Sequence, residues 1–323
     1  MNDAMKRRFF LGACAARSTA MLTGALAAQA AEKDGPLKIF MLWDMEGASG
    51  LLRRDQVWFW EQGASPQAAR EGRELLIADI NSAVRAALDA GADQIIVCDT
   101  HHSGGNIRLE KMLADPRVRY LERSVGLEGG RRRWMPGLDE TVDGLMLMAH
   151  HAKAGTPGAF LPHTQNGPWA DFRINGMSVG EIGIEACYAG HWEIPLVLVQ
   201  GDEAACREAQ EQFPGVVTAA VKRALDHDHC TGPAPEQARR LVAAKVAEAI
   251  RKCRAGTLQP FKPKLPMNVA LRLSTADVAR KTAQKSGARR VDDYTLEAQV
   301  AQQCDILKWV TGIGLDMADV DGR

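Results

Sequence analysis

The stretch Lys38–Gly50, KIFMLWDMEGASG, decides how the chain is read. An apolar run ends abruptly in Asp44-Met45-Glu46-Gly47. The run predicts a buried strand bounded by turn residues. Its two carboxylates stand two residues apart at the strand end and therefore project the same way. Neither can be buried in the charged form without compensation, and a cation is the simplest compensation.

Outward from that strand, apolar runs alternate with helical patterns. Residues 65–91, SPQAAREGRELLIADINSAVRAALDAG, predict a long amphipathic helix that stops at Gly91. QIIVCD, GLMLMAHHA and IPLVLVQGDE are further strand-like runs, and VVTAAVK is another. DEAACREAQEQF and APEQARRLVAAKVAEAIRKCRAG predict helices. The alternation indicates an α/β fold, a mostly parallel sheet flanked by helices, with ligands beyond the carboxyl ends of its strands. LQPFKPKLP, with three prolines, marks a boundary. Beyond it, MNVALRL, TADVARKTAQKSG, ARRVDDYTLE and EAQVAQQCDILKWV predict a small strand-helix-strand-helix unit. The expected division is a domain over 36–258 and a C-terminal α+β unit over 259–316.

The bulk properties narrow the function. The 323 residues carry 40 basic and 40 acidic side chains, and 46% are hydrophobic. Balanced charge gives no general attraction to nucleic acid or anionic membranes. After the leader, no segment reaches the roughly 18 consecutive apolar residues of a membrane span. Residues 1–30 read as an export signal, with Arg7-Arg8 in a twin-arginine-like setting and a small-x-small site at Ala28-Gln29-Ala30. The expected location is the periplasm or the exterior. Of 7 cysteines, those after the leader show no C-x-x-C spacing and read as buried thiols.

The histidines gather where the strands end. Of the 8 in the chain, His101 and His102 follow QIIVCD, while His150 and His151 close GLMLMA. His163 lies in the loop AFLPHT. Glu181 stands between glycines at a predicted helix start, where a favourable charge at a helix N-terminus and a carboxylate bridging or capping a metal fit equally well. Imidazole and carboxylate together suit zinc and similar metals. DHDHC, Asp226–Cys230, has a metal-like composition but reads as a solvated loop. GLEGGRRRW reads as a surface loop. The chain has no phosphate-cradling G-x-x-x-x-G-K-[ST], no H-E-x-x-H and no G-x-S-x-G.

DMEGASG, DTHHSGGN, HAKAGTPGAFLPHT, NGMSVGEIG and VQGDE, in this order, resemble the zinc D-aminopeptidase family. The resemblance spans about residues 37–309. It implies a centre of two zinc ions per subunit, with Asp44, Glu46, His101, His151 and Glu181 as metal ligands and Asp44 bridging. It places His163 at the catalytic histidine position. It further implies hydrolysis of short peptides with an N-terminal D-amino acid, of the D-Ala type, and a ring-like homo-oligomer. His102 and His150 depart from the family pattern, which has glycine and often tyrosine there; either could replace its neighbour as ligand, and their loss is expected to be milder than that of His163. Two other functions fit a strand-end metal cluster: a di-metal phosphoesterase and a non-catalytic periplasmic metal-binding protein.

Overall fold

The computed structural model describes residues 35–102, 104–122 and 134–311. The expected export signal, the stretch GLEGGRRRW up to Arg133 and the chain after residue 311 lie outside the described residues. The first half runs β1 (Lys38–Trp43), a one-turn helix α1 (Arg54–Val57), α2 (Pro66–Asp89), β2 (Gln94–Asp99), β3 (Val118–Glu122) and β4 (Gly144–His150). A hairpin follows, β5 (Trp169–Ile174) and β6 (Met177–Val179), then α3 (Glu181–Gly190) and β7 (Leu196–Asp202). Next come α4 (Glu203–Gln212), β8 (Val217–Ala224), β9 (Cys230–Thr231) and α5 (Pro235–Arg254). The chain closes with β10 (Met267–Leu273), α6 (Ala276–Ser286), β11 (Arg289–Arg290), β12 (Thr295–Val300) and α7 (Lys308–Thr311).

The first sheet has 7 strands in the order β3-β2-β1-β4-β7-β8-β9. All its pairings are parallel except β8 with β9. Its central strands are buried along almost their whole length, because both faces are covered. Alternation divides β1 between two cores. Ile39, Met41 and Trp43 face the layer of α2 and α5. Phe40 and Leu42 face α3, α4 and the second sheet. The expected α/β architecture is therefore the observed one. α2 starts where the sequence indicates: the Ser65 side chain accepts from Ala68 N at 3.3 Å and Pro66 takes the first helical position.

Strand order fixes where a ligand goes. From β1 the chain moves outward to β2 and β3, whereas from β4 it moves the other way to β7 and β8. The crossovers diverge between β1 and β4, which opens a crevice beyond their carboxyl ends. Asp44 and Glu46 leave β1 at that point.

The second sheet has 5 strands in the order β11-β12-β10-β5-β6. It combines the strands after the proline-rich boundary with the hairpin β5–β6 from the middle of the chain. One expectation is overturned here. EAQVAQQCDILKWV is not a helix from its start: Glu297–Val300 belongs to β12, paired antiparallel with β10. Its pattern of small and polar residues is helix-compatible, but the cross-strand partners Met267–Ala270 govern it. The six cysteines after the leader are buried thiols.

Candidate metal centre

Three strand ends supply the centre, and each has a local reason for its shape. After β1, Gly47 lies hard against β4: Gly47 N donates to Ala149 O at 2.6 Å, and a Cβ on Gly47 would stand 2.3 Å from His150 O. Only glycine allows that approach. After β2, buried Asp99 accepts from Asn106 N at 2.7 Å and Asn106 Nδ2 at 3.0 Å, which closes the loop carrying His101. After β4 the regular ladder fails. The β4–β7 register shifts between Leu147 and His150, and Ala149 adopts φ 58°. A left-handed alanine is costly and re-aims the residues after it.

Asp44 is the hub. Its Oδ1 lies 2.8 Å from His101 Nδ1, and its Oδ2 lies 3.4 Å from His151 Nε2. Around Oδ1 gathers one donor set, Asp44, Glu46 and His101. A second set holds His151, His163 and Glu181. Within each set the donor atoms lie within 4.8 Å of one another. The structure thus brings together Asp44, Glu46, His101, His151, Glu181 and His163, all of the residues singled out from sequence.

Backbone carbonyls fix which ring nitrogen faces inward. His101 Nε2 donates to Val57 O at 3.0 Å, leaving Nδ1 for the centre. His151 Nδ1 donates to Ala152 O at 3.0 Å, leaving Nε2, which is buried without a hydrogen-bond partner. His163 Nδ1 donates to Leu161 O at 2.9 Å, so its Nε2 lone pair is the one aimed at Glu181, 3.7 Å from Oε1. Carbonyl-anchored imidazoles of this kind are the usual supporting arrangement of metal-bound histidine.

The donor spacing tests whether zinc fits. Two ligands about 2.0–2.2 Å from a tetrahedral zinc stand roughly 3.3–3.6 Å apart. Glu46 Oε2 to His101 Nδ1 is 3.4 Å, Asp44 Oδ2 to His151 Nε2 is 3.4 Å, and His151 Nε2 to Glu181 Oε1 is 3.3 Å. Asp44 Oδ1 and His101 Nδ1, at 2.8 Å, stand closer than that, at direct hydrogen-bond distance. The other three spacings fit the ion, and the nitrogen–oxygen chemistry suits it.

The electrostatics point the same way. Burial alone would raise the Asp44 carboxyl, but His101, His150 and His151 overcome it and hold the group well below its ordinary value. Burial would likewise raise Glu181, which the His151 charge brings down to about 2. Burial would lower His151, yet Glu181 and Asp44 raise it. Asp44 and Glu181 are thus held ionised by the imidazoles around them.

A cavity of about 540 Å³ opens onto the centre. Trp58, Trp60 and His102 line one side, and Gln165, Asn166 and Gly167 another. Trp58 was not singled out from sequence. Its Nε1 donates to Glu46 Oε1 at 2.8 Å, and its ring meets His163 edge-on at 5.3 Å. Arg54 lies over Trp58 and is itself held by Glu61 at 2.6 Å and Asp228 at 2.8 Å. Asp226, His227 and His229 of DHDHC are exposed, with Asp226 accepting from His229, and His227 O accepts from Leu161 N, which braces the loop of His163. A larger groove, about 860 Å³, crosses the second sheet past Arg173, Asn268 and Trp309 and contains none of the gathered donors.

The adjacent histidines part company. His102 is on the rim, its ring 4.6 Å from that of Trp60. His150 is buried, with Nε2 2.8 Å from Glu185 Oε2. The second pair therefore places both of its histidines in the interior. Glu185 also escaped the sequence reading, although its i, i+4 spacing from Glu181 places both on one face of α3.

Residues 37–311 match the family described as D-aminopeptidase. A D-aminopeptidase of Bacillus subtilis (strain 168) is 32% identical over 215 residues, covering 67% of this chain and 74% of the relative. A solved structure described as the Zn-dependent D-aminopeptidase DppA from Bacillus subtilis, a self-compartmentalizing protease, superposes with a TM-score of 0.76 at 25% identity. That alignment covers 87% of this chain and 99% of the other.

Proposed function

We propose a mechanism and a substrate class for this chain, which belongs to the D-aminopeptidase family. It is a zinc metallo-aminopeptidase. We infer that it holds two zinc ions and hydrolyses short peptides with an N-terminal D-amino acid, of the D-Ala type. The observation that carries the two-ion reading is Asp44, whose two oxygens face two separate donor sets. Glu46 and His101 complete one set, and His151 and Glu181 complete the other.

Bound zinc supplies Lewis acidity, activating water and polarising the scissile carbonyl. The chain does the rest. Asp44, Glu46 and Glu181 place negative charge in a buried site where only cations can balance it. His163 presents an Nε2 lone pair whose tautomer is set by Leu161 O. It is the group positioned to exchange a proton with the leaving amine. Thr164 Oγ1 accepts from Ala154 N at 3.1 Å and stiffens that loop. Trp58 excludes water from the side of Glu46. A second role for His163 has its own support, since it lies within ligand distance of His151 and Glu181.

The cavity is of the size that encloses a small ligand, about 300–1,000 Å³. That supports a short peptide. A phosphoester reading is disfavoured, because the lining guanidinium, Arg54, is already held by Glu61 and Asp228. The self-compartmentalizing description of the solved relative supports a ring-like homo-oligomer for this chain. Light scattering that shows a stable monomer would overturn it. The export-like leader supports a periplasmic or secreted enzyme, tested by locating the protein in fractionated cells.

The deciding experiment couples elemental analysis with hydrolysis of D-Ala-p-nitroanilide and its L-isomer. About two zinc ions per chain and preference for the D-isomer are expected. Zinc without hydrolysis would leave a binding protein.

A further inference from the structure

Glu185 and His150 are both 1% exposed, and the chemistry above uses neither. A buried carboxylate and a buried imidazole are costly unless each answers the other. His150 Nε2 lies 2.8 Å from Glu185 Oε2. On the opposite edge of the ring, His150 Nδ1 lies 3.7 Å from Asp44 Oδ2. The imidazole is therefore wedged between Glu185 and the hub carboxylate. The contacts on both ring nitrogens are ones of charge and distance, without an aligned hydrogen bond.

The backbone is shaped for this arrangement. Consecutive residues of a regular strand point to opposite faces. The register break at the end of β4 and the left-handed Ala149 let His150 and His151 address the same carboxylate. On the other side, α3 carries Glu181 to His151 and, one turn later, Glu185 to His150.

Asp44 needs such a restraint. The terminal torsion of an aspartate is broad and nearly two-fold. Oδ1 accepts from Met45 N at 2.9 Å. On the Oδ2 side, His150 is the neighbour that lies outside both donor sets.

We propose that Glu185 and His150 form a buried positioning pair that holds Asp44 with one oxygen toward each donor set, and so sets the zinc affinity of both positions together. This rests on the two-zinc reading of the centre. Supporting partners of metal ligands commonly contribute about 10–100-fold in metal affinity.

The test is zinc affinity by chelator competition for the wild type, Glu185→Gln, His150→Ala and the double variant, beside thermal melts of the zinc-free proteins. Glu185→Gln keeps the shape of the side chain and removes its charge. It is expected to weaken zinc binding by about 10-fold or more at both positions, and the double variant to be no weaker than His150→Ala. A lower melt with unchanged zinc affinity makes the pair a structural ion pair and overturns the proposal, as do strictly additive effects. If His150→Ala does not fold, Glu185→Gln decides alone by the same affinity. A wild type that holds no zinc overturns the two-zinc reading and this pair with it. A wild type that holds two beside an unchanged Glu185→Gln overturns the pair alone.

Discussion

The dipeptide His-His occurs at two strand ends, and the fold treats the two copies differently. After β2, His101 turns inward to Asp44 while His102 turns outward to the ring of Trp60. After β4, His150 and His151 both turn inward, one to Glu185 and one to Glu181. The first pair splits in and out at a bend past β2, where His102 itself is left-handed at φ 56°. In the second pair the left-handed residue is Ala149, one position earlier, and with the register shift it turns both histidines inward. Backbone direction, together with a helix offering two carboxylates a turn apart, decides whether a neighbouring histidine is rim or interior.

Removing what both pairs address is the strongest way to break the comparison. Asp44→Ala is expected to lose zinc from both donor sets and to abolish hydrolysis, read by elemental analysis and peptide turnover. Retention of one full zinc equivalent would show that the two sets are independent of Asp44.

Next in size is His163→Ala. Turnover should fall by about 10²–10⁴-fold with zinc content intact. Loss of zinc instead makes His163 a ligand of the second set and moves the proton transfer elsewhere.

Trp58→Phe sharpens the β1 side. It keeps the wall and deletes the N–H that donates to Glu46. Zinc affinity should drop by about 10-fold at the set containing Glu46. An equal drop at both sets would mean that Trp58 acts on the whole cavity.

Gly47→Ala tests the docking of the β1 loop on β4. The added methyl meets His150 O, so a loss of about 1–3 kcal/mol in chemical denaturation is expected. A stability equal to wild type would show that the loop moves away at no cost.

The smallest effect belongs to His102→Ala. Stability should change by no more than about 0.5 kcal/mol and zinc content should stay the same. Loss of zinc would reverse the rim and interior assignment of the first pair.

Much of this was legible because it is local. Apolar runs covered on both faces announce a parallel sheet, and KIFMLW, QIIVCD and GLMLMAH are such runs. In a parallel sheet the carboxyl ends lie along one edge. Carboxylates and histidines that follow those ends must therefore come near one another, whatever the loops between them do. That is why Asp44, Glu46, His101 and His151 gather as the chain implies. Glu181 and His163 join them from a helix start and a loop, and the motif order indicated them where periodicity did not.

Residues whose partners are distant in the chain were not legible. β5 pairs with β10, with Asn268 N donating to the side chain of Asn175 at 93 residues' separation, and EAQV becomes strand only because β10 lies beside it. Nothing local marks Trp58, whose role appears only when folding brings Glu46 within hydrogen-bond reach of its indole N–H. Glu185 reads as a helix-surface acid until α3 is laid against β4. The sequence by itself determined the parallel sheet and the chemical character of its strand ends, because hydrophobic periodicity and residue type are properties of a short segment. Only the tertiary structure decided which histidine of each pair enters the centre and what stands behind Asp44, because those outcomes depend on backbone deflections and on partners that folding alone brings within a few ångströms.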